Sequence, residues 1–172
     1  MYFCGQSHFF TSQQGVAIGW TIDSQYNQQG TVVATPDGGV TWNLSSSLQV
    51  LNGAFFGGSF LGSTDWWLCG QQTPAGASSS VGVLAHTTDG GSTWSQSTGP
   101  PDSAFNDVGF VDATDGWLSS ASGTIYRTYD GGTTWNAEDT GYSYLSRISA
   151  VSVQNIWVVG LRGTILHYPS PP

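Results

Sequence analysis

The sequence predicts an all-β fold, a small β-propeller of about four blades, and three observations lead there. The octapeptide TPDGGVTW, Thr35 to Trp42, returns as TTDGGSTW at Thr87 to Trp94 and as TYDGGTTW at Thr128 to Trp135. Asp-Gly-Gly between two β-prone runs is hairpin chemistry, because the aspartate bonds its own turn backbone and glycine takes positive φ without a Cβ clash. Composition agrees: Gly, Ser, Thr, Trp, Tyr and Phe are abundant and only 8% of residues are charged, which favours strands and tight turns over helix. Spacing is the third observation. Asp37, Asp89, Asp130 and the equivalent Ser170 lie 52, 41 and 40 residues apart. A period of about 40 to 50 residues with four short strands per unit is that of a propeller blade.

The individual strands follow from aligning the copies. Seven residues before each repeated aspartate stands a glycine, Gly30, Gly82 or Gly123, opening the β runs TVVAT, VLAHT and TIYRT; Gly163 opens a fourth, TILHY. Upstream, Phe110 to Trp117 aligns without a gap on Phe60 to Trp67, and more weakly on Phe9 to Val16 and Ala150 to Trp157. Each of these segments reads as a strand end, a polar turn and a strand start. A complete repeat therefore has four antiparallel strands, a to d, which in the third copy run Phe105 to Phe110, Gly116 to Ser120, Thr124 to Thr128 and Thr133 to Ala137. One domain covers 1-172, with blades roughly 4-44, 50-96, 103-138 and 144-170, the fourth lacking strand d. A closed or nearly closed four-blade ring is the expectation. Completion by a second copy or another subunit is one alternative, and a fragment of a longer protein is the other.

Charge narrows the partners. The formal net charge is −8 and the only cations are Arg127, Arg147 and Arg162, so the phosphate contacts that dominate nucleic-acid affinity are missing. Only one acidic residue, Glu138, is a glutamate; the rest are aspartates concentrated in turns. No run of about 18 apolar residues suggests a membrane span, and MYFCGQSHFF lacks the basic and apolar regions of a signal peptide. A lysine-free, Ser/Thr/Gln-rich chain nevertheless suits an extracytoplasmic setting: periplasmic, cell-surface or secreted. Cys4 and Cys69 allow either one disulfide or two free thiols, and neither they nor His8, His86 and His167 have metal-ligand spacing. No cofactor or metal is expected.

The three octapeptides resemble the Asp-box, or BNR, repeat, Ser/Thr-x-Asp-x-Gly-x-Thr-Trp, at every position. With the extended pattern from Gly116 to Trp135, the chain looks most like the photosystem II assembly and stability factor family and its bacterial relatives. That resemblance implies a propeller in which Asp37, Asp89 and Asp130 hold the c-to-d turn at the blade periphery and Trp42, Trp94 and Trp135 pack over it. It implies no catalytic role for them. Asp-boxes also occur in sialidases and xyloglucan hydrolases, but the residues needed there are not in place. A sialidase site needs three converging arginines with a Tyr/Glu pair, whereas Arg127, Arg147 and Arg162 fall on a strand c, a strand a and a b-to-c loop. A xyloglucan hydrolase needs two carboxylates across a cleft. Asp107 is the only acidic residue in a predicted strand a, and Arg147 occupies its equivalent one repeat later, so a contact between these two is expected.

Strand order puts the a-to-b and c-to-d turns on one face and the b-to-c and d-to-a turns on the other. Both large departures from the repeat lie on the second face: 14 residues from Val16 to Gly30 and 15 from Trp67 to Gly82, against 6 in the third and fourth copies. Such insertions cost little in loop entropy and are common recognition sites. The first, WTIDSQYNQQ, offers Trp20, Asp23 and Tyr26. With Asp107 and Arg147 these form the candidate partner-binding set. The expected function is a noncatalytic protein-interaction or assembly module with protein partners, part of a larger extracytoplasmic complex; carbohydrate binding or glycoside hydrolysis is the alternative.

Overall fold

The structure is a computed structural model that describes residues 2–45, 48 and 50–168. Its strands form four antiparallel sheets taken up in chain order, with no α-helix among the described residues. The first sheet comprises β1 (Tyr2–Phe9), β2 (Gly15–Ile22), β3 (Gln28–Thr35) and β4 (Asn43–Leu44), with β5 (Val50–Leu51) also pairing β3. The second comprises β6 (Gly53–Phe60), β7 (Trp66–Gln72), β8 (Val81–Thr87) and β9 (Ser95–Ser97). The third comprises β10 (Phe105–Phe110), β11 (Gly116–Ser120), β12 (Thr124–Thr128) and β13 (Asn136–Asp139). The fourth has three strands, β14 (Leu145–Ser152), β15 (Asn155–Gly160) and β16 (Ile165–Tyr168). This is the small propeller of about four blades that the sequence predicts. Ser170, the equivalent of the repeated aspartate, lies outside the described residues.

Two boundaries differ from the sequence reading, each for a local reason. Strand d of the third sheet begins at Asn136 rather than Thr133, because Asp130 holds Thr134 inside the turn: its Oδ1 accepts the Thr134 N–H at 2.8 Å and its Oδ2 the Thr134 hydroxyl at 2.7 Å. In the first sheet most of the extra length is strand rather than loop. β2 and β3 pair from Gly15↔Thr35 to Ile22↔Gln28, and the longer β3 accommodates two outer segments, β4 at Val33 and Ala34 and β5 at Gln29 and Gly30.

All three Asp-Gly-Gly turns have the same construction. Thr35, Thr87 and Thr128 donate their hydroxyls to the aspartate at 2.8–2.9 Å and accept the N–H of the second glycine. Both glycines of each pair have positive φ, from 64° to 93°, where a Cβ is strained. The first glycine then donates its N–H to the a-to-b turn of the same sheet, from Gly38 to Gln13, Gly90 to Thr64 and Gly131 to Thr114. These bonds fix the two turns on one face, as strand order requires.

Neighbouring sheets pack face to face. Val16, Ile18 and Val32 of the first meet Trp66, Leu68 and Val83 of the second. Trp67, Cys69 and Leu84 on the other face of the second meet Phe110, Leu118 and Tyr126 of the third. Trp117 and Ile125 then meet Ile156 and Val158 of the fourth. Each fully buried Val, Leu or Phe here contributes roughly 1.5–3 kcal/mol. Among the described residues no apolar cluster joins the fourth sheet to the first. Trp157, Val159 and Ile165 on the fourth sheet's outer face are 43%, 40% and 66% exposed. The expectation of a closed or nearly closed four-blade ring is thereby corrected: among the described residues the first and fourth sheets do not pack on each other.

A Cβ at Gly132, where φ is +77°, would also run into the Trp67 ring of the preceding sheet, whereas Gly141, at φ +73°, has open space around it. Gly132→Ala should therefore destabilise by about 1–2 kcal/mol more than Gly141→Ala. Urea midpoints of the two variants check this, and equal losses would show that the turn is not packed against Trp67.

Candidate functional site

The repeated aspartates have their carboxylates committed to the turns. Hydrogen bonds from Thr41 hold Asp37 below the usual carboxylate range, those from Thr134 do the same for Asp130, and Thr93 with Thr87 brings Asp89 down to about 2. Trp94 Nε1 donates to the Gly91 carbonyl at 3.0 Å, and Phe110 meets Trp135 edge-on. A hollow of about 390 Å³ on this face, between the first and second sheets, has Asp89 as its only charged lining residue.

The opposite end of the propeller is chemically richer, and a β-bulge in every innermost strand is the reason. At this end pairing skips one residue in each: Gly5 between Cys4 and Gln6, Phe56 between Phe55 and Gly57, Asn106 between Phe105 and Asp107, and Ser146 between Leu145 and Arg147, while β14 has a second irregularity between Ala150 and Ser152 at its other end. A bulge adds an unpaired residue and re-aims the side chains around it. All four skipped residues line one central hollow of about 550 Å³, together with Cys4, Trp20, Tyr144 and Arg147. Trp20 lies edge-on to Phe56, ring centres 6.0 Å apart. Arg147 donates from Nη1 to the carbonyls of Asn106 at 3.2 Å and Ser146 at 3.1 Å, while Asn106 Nδ2 donates to the Leu145 carbonyl at 2.7 Å. An exposed cation, an amide and three aromatics thus converge where all four sheets meet.

Asp107 is buried beneath this hollow. Its Oδ2 accepts the Ile148 N–H of the fourth sheet at 2.9 Å and its Oδ1 the Val108 N–H at 3.0 Å. The sequence reading paired it with Arg147 by repeat position. No ion pair forms, because Arg147 turns to backbone carbonyls, although its charge still favours the Asp107 carboxylate. Asp107 instead shares a task with Gln6 at the equivalent position. Gln6 Nε2 donates to the Gly58 carbonyl at 3.1 Å and its Oε1 accepts the Gly58 N–H at 2.8 Å, stitching the first inner strand to the second. Between the second and third, Ser59 Oγ accepts the Phe110 N–H at 2.9 Å. Gly57 leaves room for this, since a Cβ there would collide with Asp107 Oδ1. Sequence reasoning missed Gln6, Ser59 and Asn106; for Gln6 the available signal was a polar residue at the repeat position that Asp107 and Arg147 also hold.

Of the remaining candidates, Trp20 lies within β2 and faces the central hollow, whereas Asp23 and Tyr26 occupy the hairpin tip beyond it. Asp23 closes that tip, accepting the Gln25 N–H at 2.7 Å, the Asn27 N–H at 2.9 Å and the Asn27 amide at 2.9 Å, and the Asn27 bonds lower its pKa. Tyr26 is 88% exposed at φ +65°. Cys4 is exposed and Cys69 buried between the second and third sheets, both as free thiols.

A basic residue stacks on the repeated tryptophan position of each of the last three sheets. His86 lies over Trp67 with centroids 4.0 Å apart and bonds Asp65 at 2.9 Å. Arg127 lies 4.8 Å over Trp117 and bonds Asp115 at 3.1 Å. His167 lies 4.4 Å from Trp157, whose Nε1 donates to Asn155 at 2.8 Å. His86 and Arg127 are thus parts of the sheet-to-sheet seams, whereas His167 lies with Trp157 on the fourth sheet's outer face. Among the described residues no group of three His, Cys, Asp or Glu could hold a metal, and no helix is long and apolar enough to cross a membrane.

Burial raises the Asp107 pKa to about 6 against the opposing Ile148 N–H and Arg147 charge. Its folded value lies above the unfolded one, so its stabilising contribution is complete below about pH 4 and lost as pH rises through about 6. The loss is of order 3 kcal/mol. The turn aspartates work in the opposite sense: their contribution is present above about pH 4 and lost on acidification below it. Urea midpoints measured from pH 4 to 7 should fall with rising pH in the native chain, and Asp107→Asn should abolish that slope. A slope that survives in the variant would place its origin elsewhere.

Residues 97–170 match the family model described as photosynthesis system II assembly factor YCF48. A solved structure of YCF48 bound to D1 peptide shares the fold, with a TM-score of 0.62 and 23% identity over 95% of this chain and 53% of that one. YCF48 from Cyanidioschyzon merolae does so with a TM-score of 0.67 and 23% identity, over 98% of this chain and 54% of that one. The fold is that of a YCF48-like BNR β-propeller, and the chain spans about half the length of these solved relatives. No curated protein matches it in sequence.

Proposed function

We propose that this YCF48-like propeller is a noncatalytic protein-interaction and assembly module that binds an extended peptide segment of its partner in the central hollow, as part of a larger extracytoplasmic complex. The observation that carries this reading is the convergence of Arg147, Trp20, Phe56, Tyr144 and Asn106 over the four inner-strand bulges. Aromatic rings and a guanidinium around an open hollow anchor side chains and carboxylates, and they are the residue types that dominate interface energetics. A YCF48 solved with D1 peptide supports the same use of the fold. Asp23 and Tyr26 at the adjoining hairpin tip extend the contact surface, and Asp107 acts through the position of Ile148 rather than by touching the partner. The lysine-free, acidic composition supports the extracytoplasmic setting. Completion of the propeller by a second copy or another subunit belongs to the same reading, given that the fourth sheet's outer face is exposed among the described residues.

Binding of a peptide panel, half with free C-terminal carboxylates and half amidated, tests this directly. Trp20→Ala should weaken binding about tenfold or more, and Arg147→Glu should remove any preference for the free carboxylate. Retention on a polysaccharide gel that is lost in Trp20→Ala, with no peptide bound, would instead support a glycan-binding propeller and sink the peptide reading.

A further inference from the structure

Three of the four sheets carry the same trio of side chains at the end where the a-to-b turns lie. A strand b tryptophan is paired in register with a basic strand c residue, and a polar residue two positions before the tryptophan bonds one of the two: Trp67, His86 and Asp65; Trp117, Arg127 and Asp115; Trp157, His167 and Asn155. In the first sheet the same register pairs Val16 with Ala34, and Gln14 stands two positions before Val16. The turns are equivalent, since Phe10, Leu61 and Val111 donate their N–H groups to the carbonyls of Gln14, Asp65 and Asp115 at 2.9–3.1 Å. The first sheet thus has the frame of the trio without its ring or its cation.

Those smaller residues leave a hollow. At the second seam the equivalent space, lined by Trp67, His86 and Ser95, is about 250 Å³, whereas at the first seam it is about 390 Å³ and Ala34, Gln14 and Asn43 line it. Ser95 and Asn43 correspond, each standing opposite the strand c residue from strand d. Trp66 of the second sheet forms part of the wall from across the seam, with Phe10 stacked on it at 5.3 Å and planes 8° apart. We propose that this hollow receives an arginine side chain presented by a partner protein, whose guanidinium takes the place that His86 and Arg127 hold at the next two seams.

The chain's own occupant of this place at the third seam shows the fit. Arg127 lies 4.8 Å from the Trp117 ring centre and bonds Asp115 at 3.1 Å. The first-seam hollow has matching partners in the Gln14 amide oxygen at the Asp115 position, the Asn43 amide oxygen and the Phe10–Trp66 wall, against which a cation can lie. A guanidinium fork reaches several such acceptors in one plane. Asp89 supplies the charge: hydrogen bonds from Thr93 and Thr87 bring it down to about 2, so it is ionised across the ordinary pH range, and no cation lines the hollow among the described residues. A neutral apolar ring would cover the two amides without bonding them, and an anion would be repelled. The net charge of −8 also draws cationic surfaces toward the chain. Because it lies on the face opposite the central hollow, this contact is a second one, independent of what the central hollow binds.

Titration of the native chain with the blocked tripeptide acetyl-Gly-Arg-Gly-amide, followed by NMR, tests this, with the Gly-Lys-Gly and Gly-Trp-Gly analogues alongside. The arginine peptide should shift the side-chain amides of Gln14 and Asn43 and the Trp66 indole N–H. The lysine analogue should bind about fivefold more weakly, because a compact ammonium cannot serve several acceptors in one plane. Ala34→Arg places a guanidinium in the slot from within and should weaken the peptide about tenfold or more, whereas Gln14→Asp, which copies the carboxylate of Asp65 and Asp115, should tighten it about fivefold. Gln14 is exposed in its turn, so that second variant keeps the test decisive if Ala34→Arg fails to fold. Equal binding of the arginine and lysine peptides would show diffuse attraction to an acidic surface and overturn the proposal. Binding of the tryptophan analogue alone, affinity indifferent to Gln14→Asp, or no shift of these groups at about 20 mM peptide would overturn it as well.

Discussion

Each sheet in this molecule has two apolar faces and too few strands to cover either one, so its stability depends on the sheet beside it. Face-to-face packing is what the rest of the structure serves. Tryptophan at the repeated strand b position is buried at the seams that follow the second and third sheets, between a basic residue of its own sheet and an aromatic of the next: His86 and Phe110 stack on Trp67, while Arg127 lies over Trp117 and Tyr168 meets it edge-on. The first seam lacks this device and uses Val16 in the same place, with Phe10 stacked on Trp66 nearby. Apolar area is thus maintained while the individual residues change.

Two polar systems set the geometry within which that packing occurs. At the rim, the Thr-Asp-Thr bonds fold each c-to-d turn and its first glycine ties it to the a-to-b turn. At the centre, Gln6, Ser59, Asn106 and Asp107 bond backbone groups of the next inner strand, so that polar atoms near the axis are satisfied across the seams rather than within a sheet. The bulges join these central bonds to the candidate site. They free one residue per inner strand to face the hollow while the next residue takes part in, or makes way for, the stitching.

Much of this was legible in the sequence because the copies could be aligned. Three of the four strands in the third repeat fall where the alignment puts them, and the shared face of the two turn types follows from strand order alone. What failed was local. Thr134 is β-prone, yet Asp130 captures it in the turn; the segment after Trp20 reads as loop composition, yet it extends a hairpin to Ile22 and Gln28. Asp107 and Arg147 were correctly placed in equivalent positions, but equivalence by repeat puts residues on successive blades without saying that they touch. The bulges were invisible because a one-residue offset present in every copy leaves the alignment undisturbed.

The three-seam arrangement also has a consequence for cooperativity. Taken by themselves, the described residues form four units joined by three contacts, a short linear array in which the inner sheets have two neighbours and the outer sheets only one. Local opening in such an array starts from the ends, so the first and fourth sheets lie at the low end of the stability gradient. The axial hollow draws on both of those sheets, through Cys4, Gly5 and Trp20 at one end and Tyr144, Ser146 and Arg147 at the other. Whatever bridges the hollow couples the two fraying ends, and turns an array that would melt blade by blade into a unit that opens as a whole.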